Sequence, residues 1–306
     1  MIITNINYSD ISGGAARAAY RLHLGLNLLG EDAYMLVVDK KSTDKNVFAI
    51  KKREFDNNSE EKIKEKFLSE IVQHRYIDKN RTNISNTLFT LPYPGLNINT
   101  IPLIQNSDII NFHWISYFLS IASLKSLFSL NKPFVWTLHD QKPFTAGCHY
   151  TAECEKYINE NCLNCPQLED DYFNIPNAVF MDKIDLFEKA NLTIITPSKW
   201  LANCAKSSKL FKKFRVESIP NSIETDIFYP IDKKIAKRKL GIDDNSITIL
   251  FGAENGNKKR KGFHLLLEAV KYCLTNDYFK KLSIEKKINI LCFGDPSSDL
   301  NSLNID

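Results

Sequence analysis

No stretch of the chain approaches the roughly 18 consecutive apolar residues that a membrane-spanning helix needs. Its start, MIITNINYSD, has no basic region followed by an apolar one. A spanning protein and a secreted precursor are therefore not expected, and the expected location is the cytoplasm. Charge of one sign is also scarce: 40 Lys and Arg against 36 Asp and Glu leave a net charge of +4, which does not demand a nucleic-acid partner. There is no G-x-G-x-x-G and no G-x-x-x-x-G-K-[ST], so neither common phosphate loop is present. No D-x-D-like metal motif follows a strand, and no carboxylate pair stands as in a glycosidase. Internal repeats and low-complexity tracts are missing as well.

What is there is enough for a large core: 306 residues at 43% hydrophobic content fit about two domains. After the opening run MIITNI come strand-like runs at 33–39, 108–114, 133–139, 192–197, 247–253 and 288–294, alternating with helical patterns at 59–76, 116–129, 175–190, 198–206 and 262–275. Such alternation predicts an α/β fold with parallel sheets covered on both faces. Ligands in such sheets bind beyond the carboxyl ends of the strands, which selects His113, Trp114, His139, Asp140, Pro197, Ser198, Gly252, Ala253, Gly294 and Asp295. The stretch 218–234 is turn-rich and aperiodic, so the boundary is expected there, giving domains of 1–220 and 221–306.

Four local patterns carry chemistry. Gly13 and Gly14 sit between the first strand and a helical pattern, where backbone N–H groups and the helix dipole favour an anion; the same residues also suit a plain tight turn. His139 and Asp140 close an apolar strand and can reach a ligand from its mouth, or the imidazole can merely cap a loop. Lys259, Arg260 and Lys261 precede Gly262 and an amphipathic helix, a setting that suits a diphosphate. Finally, Cys148, Cys154, Cys162 and Cys165 fall in one long loop as C-x5-C-x7-C-x2-C. In a reducing compartment this reads as structural Zn²⁺, with His149 as a substitute ligand, or as free thiols or a redox-labile pair. Cys204, Cys273 and Cys292 read as core. The run KSSKLFKKFR at 206–215 reads as a solvated face or as contact with an anionic membrane surface at the inner face of the membrane.

The ordered series SGGAARAAYRLH, NFHWI, WTLHDQKPFTAGCHY, CPQL, TPSKWL, IPNSIETDIFYP and KKRKGFHLL resembles glycosyltransferase family four, nearest its bacterial colanic-acid and exopolysaccharide members, from residue 1 to about 295. The resemblance implies a GT-B fold of two Rossmann-like domains, and retaining transfer from a UDP- or GDP-linked sugar to a glycan or polyprenyl-linked acceptor. The acceptor is implied to sit on the N-terminal half. It also implies that Gly13, Gly14, Asn221, Arg260 and Lys261 hold the donor, that His139 contacts the transferred sugar, and that His113, Trp114 and Asp140 lie on the substrate side. No catalytic metal and no nucleic acid are implied. Where members of the family often carry an arginine after the strand glycine, this chain has Ala253. The family's second domain continues further and carries two donor-binding glutamates, so the second domain is expected to be incomplete here: a fragment, an interrupted frame, or a chain completed by another polypeptide. An inactive sugar- or acceptor-binding protein is the alternative, and a zinc-containing nucleic-acid binder a more distant one.

Overall fold

The computed structural model describes residues 1–50, 60–84, 87–255 and 259–295. It divides into two compact units, Met1–Ile223 and Glu224–Asp306.

The first unit is built on seven strands: β1 (Ile2–Ser9), β2 (Asp32–Asp39), β3 (Val47–Ala49), β4 (Ile109–Phe112), β5 (Phe134–Thr137), β6 (Leu192–Thr196) and β7 (Arg215–Ser218). Every neighbouring pair is parallel, in the order β3-β2-β1-β4-β5-β6-β7. The order runs outward both ways from β1 and β4, which makes their junction the switch point of a Rossmann-type sheet. Alternate residues of β2 show why its sequence is almost continuously apolar. Met35 and Val37 pack with Ala19 of α1 (Gly14–Leu28) on one face, while Leu36 joins Ile6, Phe112 and Trp136 on the other. Both faces are buried, so both sets must be apolar.

The larger core takes Leu124 and Leu127 from α4 (Ile121–Phe128), Phe180, Leu186 and Phe187 from α6 (Ile175–Phe187), and Leu201 and Ala205 from α7 (Lys199–Ser207). The helix expected over 116–129 begins late because Ser120 caps it: its hydroxyl accepts from Ser123 N–H while Ser123 Oγ accepts from Ser120 N–H. The pattern at 59–76 forms α2 (Glu60–Lys66) and continues as a wider, π-type run over Phe67–Asp78. A short α3 (Pro102–Asn106), a 3-10 turn over Lys142–Phe144 and α5 (Lys156–Asn159) are also present among the described residues of this unit. The basic run 206–215 is the outer side of a core turn: its lysines are exposed while Ser208, Leu210 and Phe211 are buried.

The second unit has α8 (Lys233–Lys239), β8 (Ile247–Asn255), α9 (Phe263–Cys273), α10 (Asp277–Ile284) and β9 (Ile288–Asp295), with β8 and β9 parallel. Its small core is Phe263, Leu267 and Val270 of α9 against Phe251, Ile290 and Cys292. Lys259–Lys261 form a single helical turn before Gly262, and residues 256–258 of that basic loop lie outside the described residues. No helix among the described residues is long and apolar enough to cross a membrane.

Candidate functional site

Polar residues converge where β1, β4 and β5 end. The parallel register sets Asn5 of β1 beside Asn111 of β4. Their side chains meet, with Asn111 Nδ2 donating to Asn5 Oδ1 at 3.0 Å and lying 3.0 Å from His113 Nε2. His113 Nε2 is also 3.3 Å from Asn5 Oδ1. On its other side, His113 Nδ1 lies 3.0 Å from His139 Nε2, and the two rings stack at 5.3 Å. Thr137 Oγ1 donates to Asn111 Oδ1 at 3.0 Å. Buried amides and imidazoles need partners, and this cluster supplies them to one another. Burial, and secondarily His139, holds His113 well below its ordinary pKa. His139 is pushed down to about 4 by burial, against an opposing pull from Asp140. Both rings are neutral at physiological pH.

Asp140 is the second focus. It accepts from Trp114 Nε1 at 3.1 Å and from Lys142 N–H at 3.0 Å, and its Oδ2 is 2.6 Å from His149 Nδ1. Burial works against the carboxylate, but the charge and hydrogen bond of His149 and the Lys142 N–H outweigh it, leaving the pKa below the ordinary value. His149 Nε2 is 2.8 Å from Thr90 Oγ1. Residues 140–149 are buried throughout, and Gln141 N–H donates to His149 O, so the loop closes on itself beneath the strand end. Lys183 of α6 secures its base, donating to the carbonyls of Lys142 (2.8 Å), Thr145 (2.7 Å) and Pro143 (3.4 Å). Three acceptors match the three donors of an ammonium. Burial, with help from the Lys142 ammonium, pushes Lys183 down to about 7, and burial pushes Lys142 down to about 8.

Beside Asp140, Trp114 packs edge-on with Tyr8 at 6.1 Å and Tyr117 at 5.5 Å. Tyr117 is half exposed and holds φ 71, an uncommon conformation for a bulky residue.

The glycine turn follows β1 directly. Gly13 has φ +88 and a Cβ there would meet nothing, so its backbone angle, not crowding, favours glycine. It starts α1 without a side-chain cap or an acidic residue in the first turn. The loop before it is held by buried Asp10, which accepts from the N–H groups of Ile11, Lys41 and Ser42.

The other expected residues are placed as follows. Asn221 is exposed beyond β7; in the second unit, Arg260 and Lys261 are exposed and Ala253 is buried on β8. Cys148, Cys154, Cys162 and Cys165 do converge, lining one cavity with Phe89, Ala146, Tyr157 and Pro166. No three His, Cys, Asp or Glu among the described residues stand where they could hold an ion, so the expected zinc site is not shown. Burial favours the neutral thiol, pushing Cys148 up to about 12, Cys165 up to about 11 and Cys162 higher still. His149, expected as a substitute ligand, is instead committed to Asp140 and Thr90. Sequence reasoning missed Asn5, Asn111, Thr137 and Asp10; only their place in or just after strands could have signalled them.

No family model and no curated protein matches the chain. Among solved structures, Anabaena HepE crystallised with UDP and glucose aligns over 98% of this chain and 71% of its own, at 12% identity and a TM-score of 0.46. HepE with UDP-glucose aligns over 96% and 69%, at 13% identity and the same TM-score of 0.46. WaaG, a glycosyltransferase involved in lipopolysaccharide biosynthesis, aligns over 98% and 72%, at 12% identity and a TM-score of 0.39. Likeness at this level carries no residue roles from one chain to another.

Proposed function

We propose that this chain is a retaining glycosyltransferase of the GT-B type, moving a sugar from a UDP- or GDP-linked donor to a glycan or polyprenyl-linked acceptor in surface polysaccharide synthesis. The observation that carries the reading is the neutral His113–His139 pair, seated at the switch point of a parallel sheet beside a glycine turn that leaves the start of α1 uncapped. A switch point is where such sheets bind nucleotide-like ligands, and uncapped N–H groups suit a diphosphate. The ordered motifs that resemble family four support the same reading.

On this reading the bond from the anomeric carbon to the diphosphate oxygen breaks, and its electron pair stays with the diphosphate. The acceptor oxygen forms the new bond on the same face, and its proton passes to the departing phosphate. The protein's part is to stabilise negative charge as it develops on the diphosphate. Gly13 and Gly14 allow close approach of the phosphates, Arg260 and Lys261 neutralise them, and Asn221 adds a donor contact. His139 holds the sugar being moved. His113, Trp114 and Asp140 serve the substrate side, where the side chains of Tyr8, Trp114 and Tyr117 suit the apolar face of a sugar ring and buried Asp140 holds the Trp114 indole.

The test is a transfer assay with UDP- and GDP-sugars and polyprenyl-linked glycan acceptors, reading product by mass and its anomeric centre by proton NMR. Product with the donor's anomeric configuration is expected. Inverted product, or no product from any donor, would overturn the reading.

A further inference from the structure

The two histidines stand on a chain of side-chain amides whose hydrogen-bond polarity can be followed from a fixed end. A backbone carbonyl only accepts, and Asn5 Nδ2 donates to Tyr34 O at 3.4 Å. The oxygen of Asn5 therefore faces Asn111, which must present its nitrogen in return, at 3.0 Å. That orientation turns Asn111 Oδ1 toward the Thr137 hydroxyl, which donates to it at 3.0 Å. The second N–H of Asn111 points at His113 Nε2, also 3.0 Å away. A ring nitrogen that receives an N–H holds no proton of its own, so neutral His113 carries its proton on Nδ1. From there it donates to His139 Nε2 at 3.0 Å. The same step then applies to the next ring.

The competing arrangement would have His113 Nε2–H donate to Asn5 Oδ1, the 3.3 Å contact. It would set that hydrogen against the amide hydrogens of Asn111, which is nearer at 3.0 Å. Turning Asn111 over to avoid this would bring two amide oxygens together at 3.0 Å. The first arrangement pairs a donor with an acceptor at each of the 3.0 Å contacts and sets two acceptors face to face only across the longer 3.3 Å one.

We propose that Asn5 and Asn111, acting through His113 and with Thr137 fixing the Asn111 amide, hold His139 as the Nδ1–H tautomer, so that it offers a hydrogen-bond donor to a sugar hydroxyl or phosphate oxygen of the bound donor substrate. Within the described residues no hydrogen bond uses His139 Nδ1, and the residue as a whole is partly exposed, which leaves this N–H for a ligand. Asn5, Asn111 and His113 are positioning residues on this view, and of these four side chains only His139 touches the substrate. The substrate contact rests on the glycosyl-transfer reading above; the tautomer does not.

Nitrogen-15 spectra of the imidazole rings test it without any turnover. The chain has six histidines, and His139 is assigned by the signal lost in His139→Gln. At neutral pH, His139 and His113 should each show a protonated Nδ1 and a bare Nε2. A protonated Nε2 on His139 in the unaltered protein would overturn the proposal. Asn111→Asp replaces the donor by an acceptor of nearly the same shape, and should exchange the two nitrogen types in both rings. Should that buried carboxylate prevent folding, Asn111→Leu removes the donor without adding charge and should give averaged nitrogens. Unchanged spectra in the folded variants would show that Asn111 does not set the polarity. In transfer assays the Asp variant should lose kcat by roughly 10- to 100-fold, as for a mispaired hydrogen bond, with a smaller change in KM. An unaltered protein with the expected spectra but no transfer would sink the glycosyl-transfer reading and leave the relay standing.

Discussion

His149→Ala is the substitution that tests the loop beneath the strand end most sharply. The side chain is 4% exposed, and it joins three segments: Asp140 at 2.6 Å, Thr90 at 2.8 Å and its own strand of loop. The backbone clasps should survive, since His149 N–H donates to Leu88 O and His149 O accepts from Gln141 whatever the side chain. Asp140 also keeps the Trp114 indole and the Lys142 N–H, so its carboxylate is not stranded. What is lost is one hydrogen bond to a charged group, at about 1.5–3 kcal/mol, together with the hydrogen bond to Thr90 and the space of an imidazole. A net loss of about 2–4 kcal/mol follows, and at roughly 2–4 °C per kcal/mol for a unit of this size the melting temperature should fall by about 5–15 °C. The effect has a defined pH window. The Asp140 pKa is lowered by folding, so its contribution is complete above the ordinary carboxylate value and is lost as the pH falls through the lowered one. Scanning calorimetry at neutral pH would show the fall, with His149→Asn recovering part of it. A shift of about 1 °C or less in the Ala variant would show that the loop does not depend on this contact.

Three further outcomes are expected. Arg260→Ala and Lys261→Ala should each lower transfer by roughly 10²-fold with little change in melting temperature, since both side chains are exposed; unaltered turnover in both would remove them from the mechanism. Folding lowers the pKa of His113 and His139, so the folded chain binds fewer protons than the unfolded one. Stability should therefore decline as pH drops from about 6.5 toward 4, by up to about 3 kcal/mol at pH 4 for His139; a flat urea midpoint over that range would contradict this. Cys148, Cys162 and Cys165, with thiol pKa values raised by burial, should react with iodoacetamide far more slowly in the native protein than in urea, and equal rates by mass spectrometry would show that their cavity is open.

The strands of the first unit that the sequence reveals, β1, β2, β4, β5 and β6, are largely buried, and their runs are mostly apolar; β8 and β9 are legible from the same kind of run although Ile247, Leu250 and Phe293 are exposed. The edge strands β3 and β7 escape notice because each buries a single residue, Val47 and Val216, among exposed ones. Tyr117 and the Ser120 cap shorten a helix whose apolar spacing alone runs on from 116 to 129. His113, His139 and Asp140 are legible because a polar residue directly after an apolar run marks a strand mouth. Asn5 and Asn111 are not, since their meeting depends on the register of strands 106 residues apart. The cysteine spacing is legible as a cluster, and the four do share a cavity, but spacing cannot say that Phe89, Ala146 and Pro166 share it too. The basic run at 206–215 hides its other half, the buried Leu210 and Phe211 that make it part of the core.

The glycosyl-transfer reading stands on His139 as the group that meets the sugar. The decisive measurement is release of UDP or GDP from a panel of sugar nucleotides in the presence of glycan acceptor, by the unaltered chain and by His139→Ala side by side. Release by the unaltered chain is expected with at least one donor, falling by roughly 10²-fold in the variant at an unchanged Michaelis constant for that donor. No release from any donor, or a variant that turns over as fast as the unaltered chain, would contradict it.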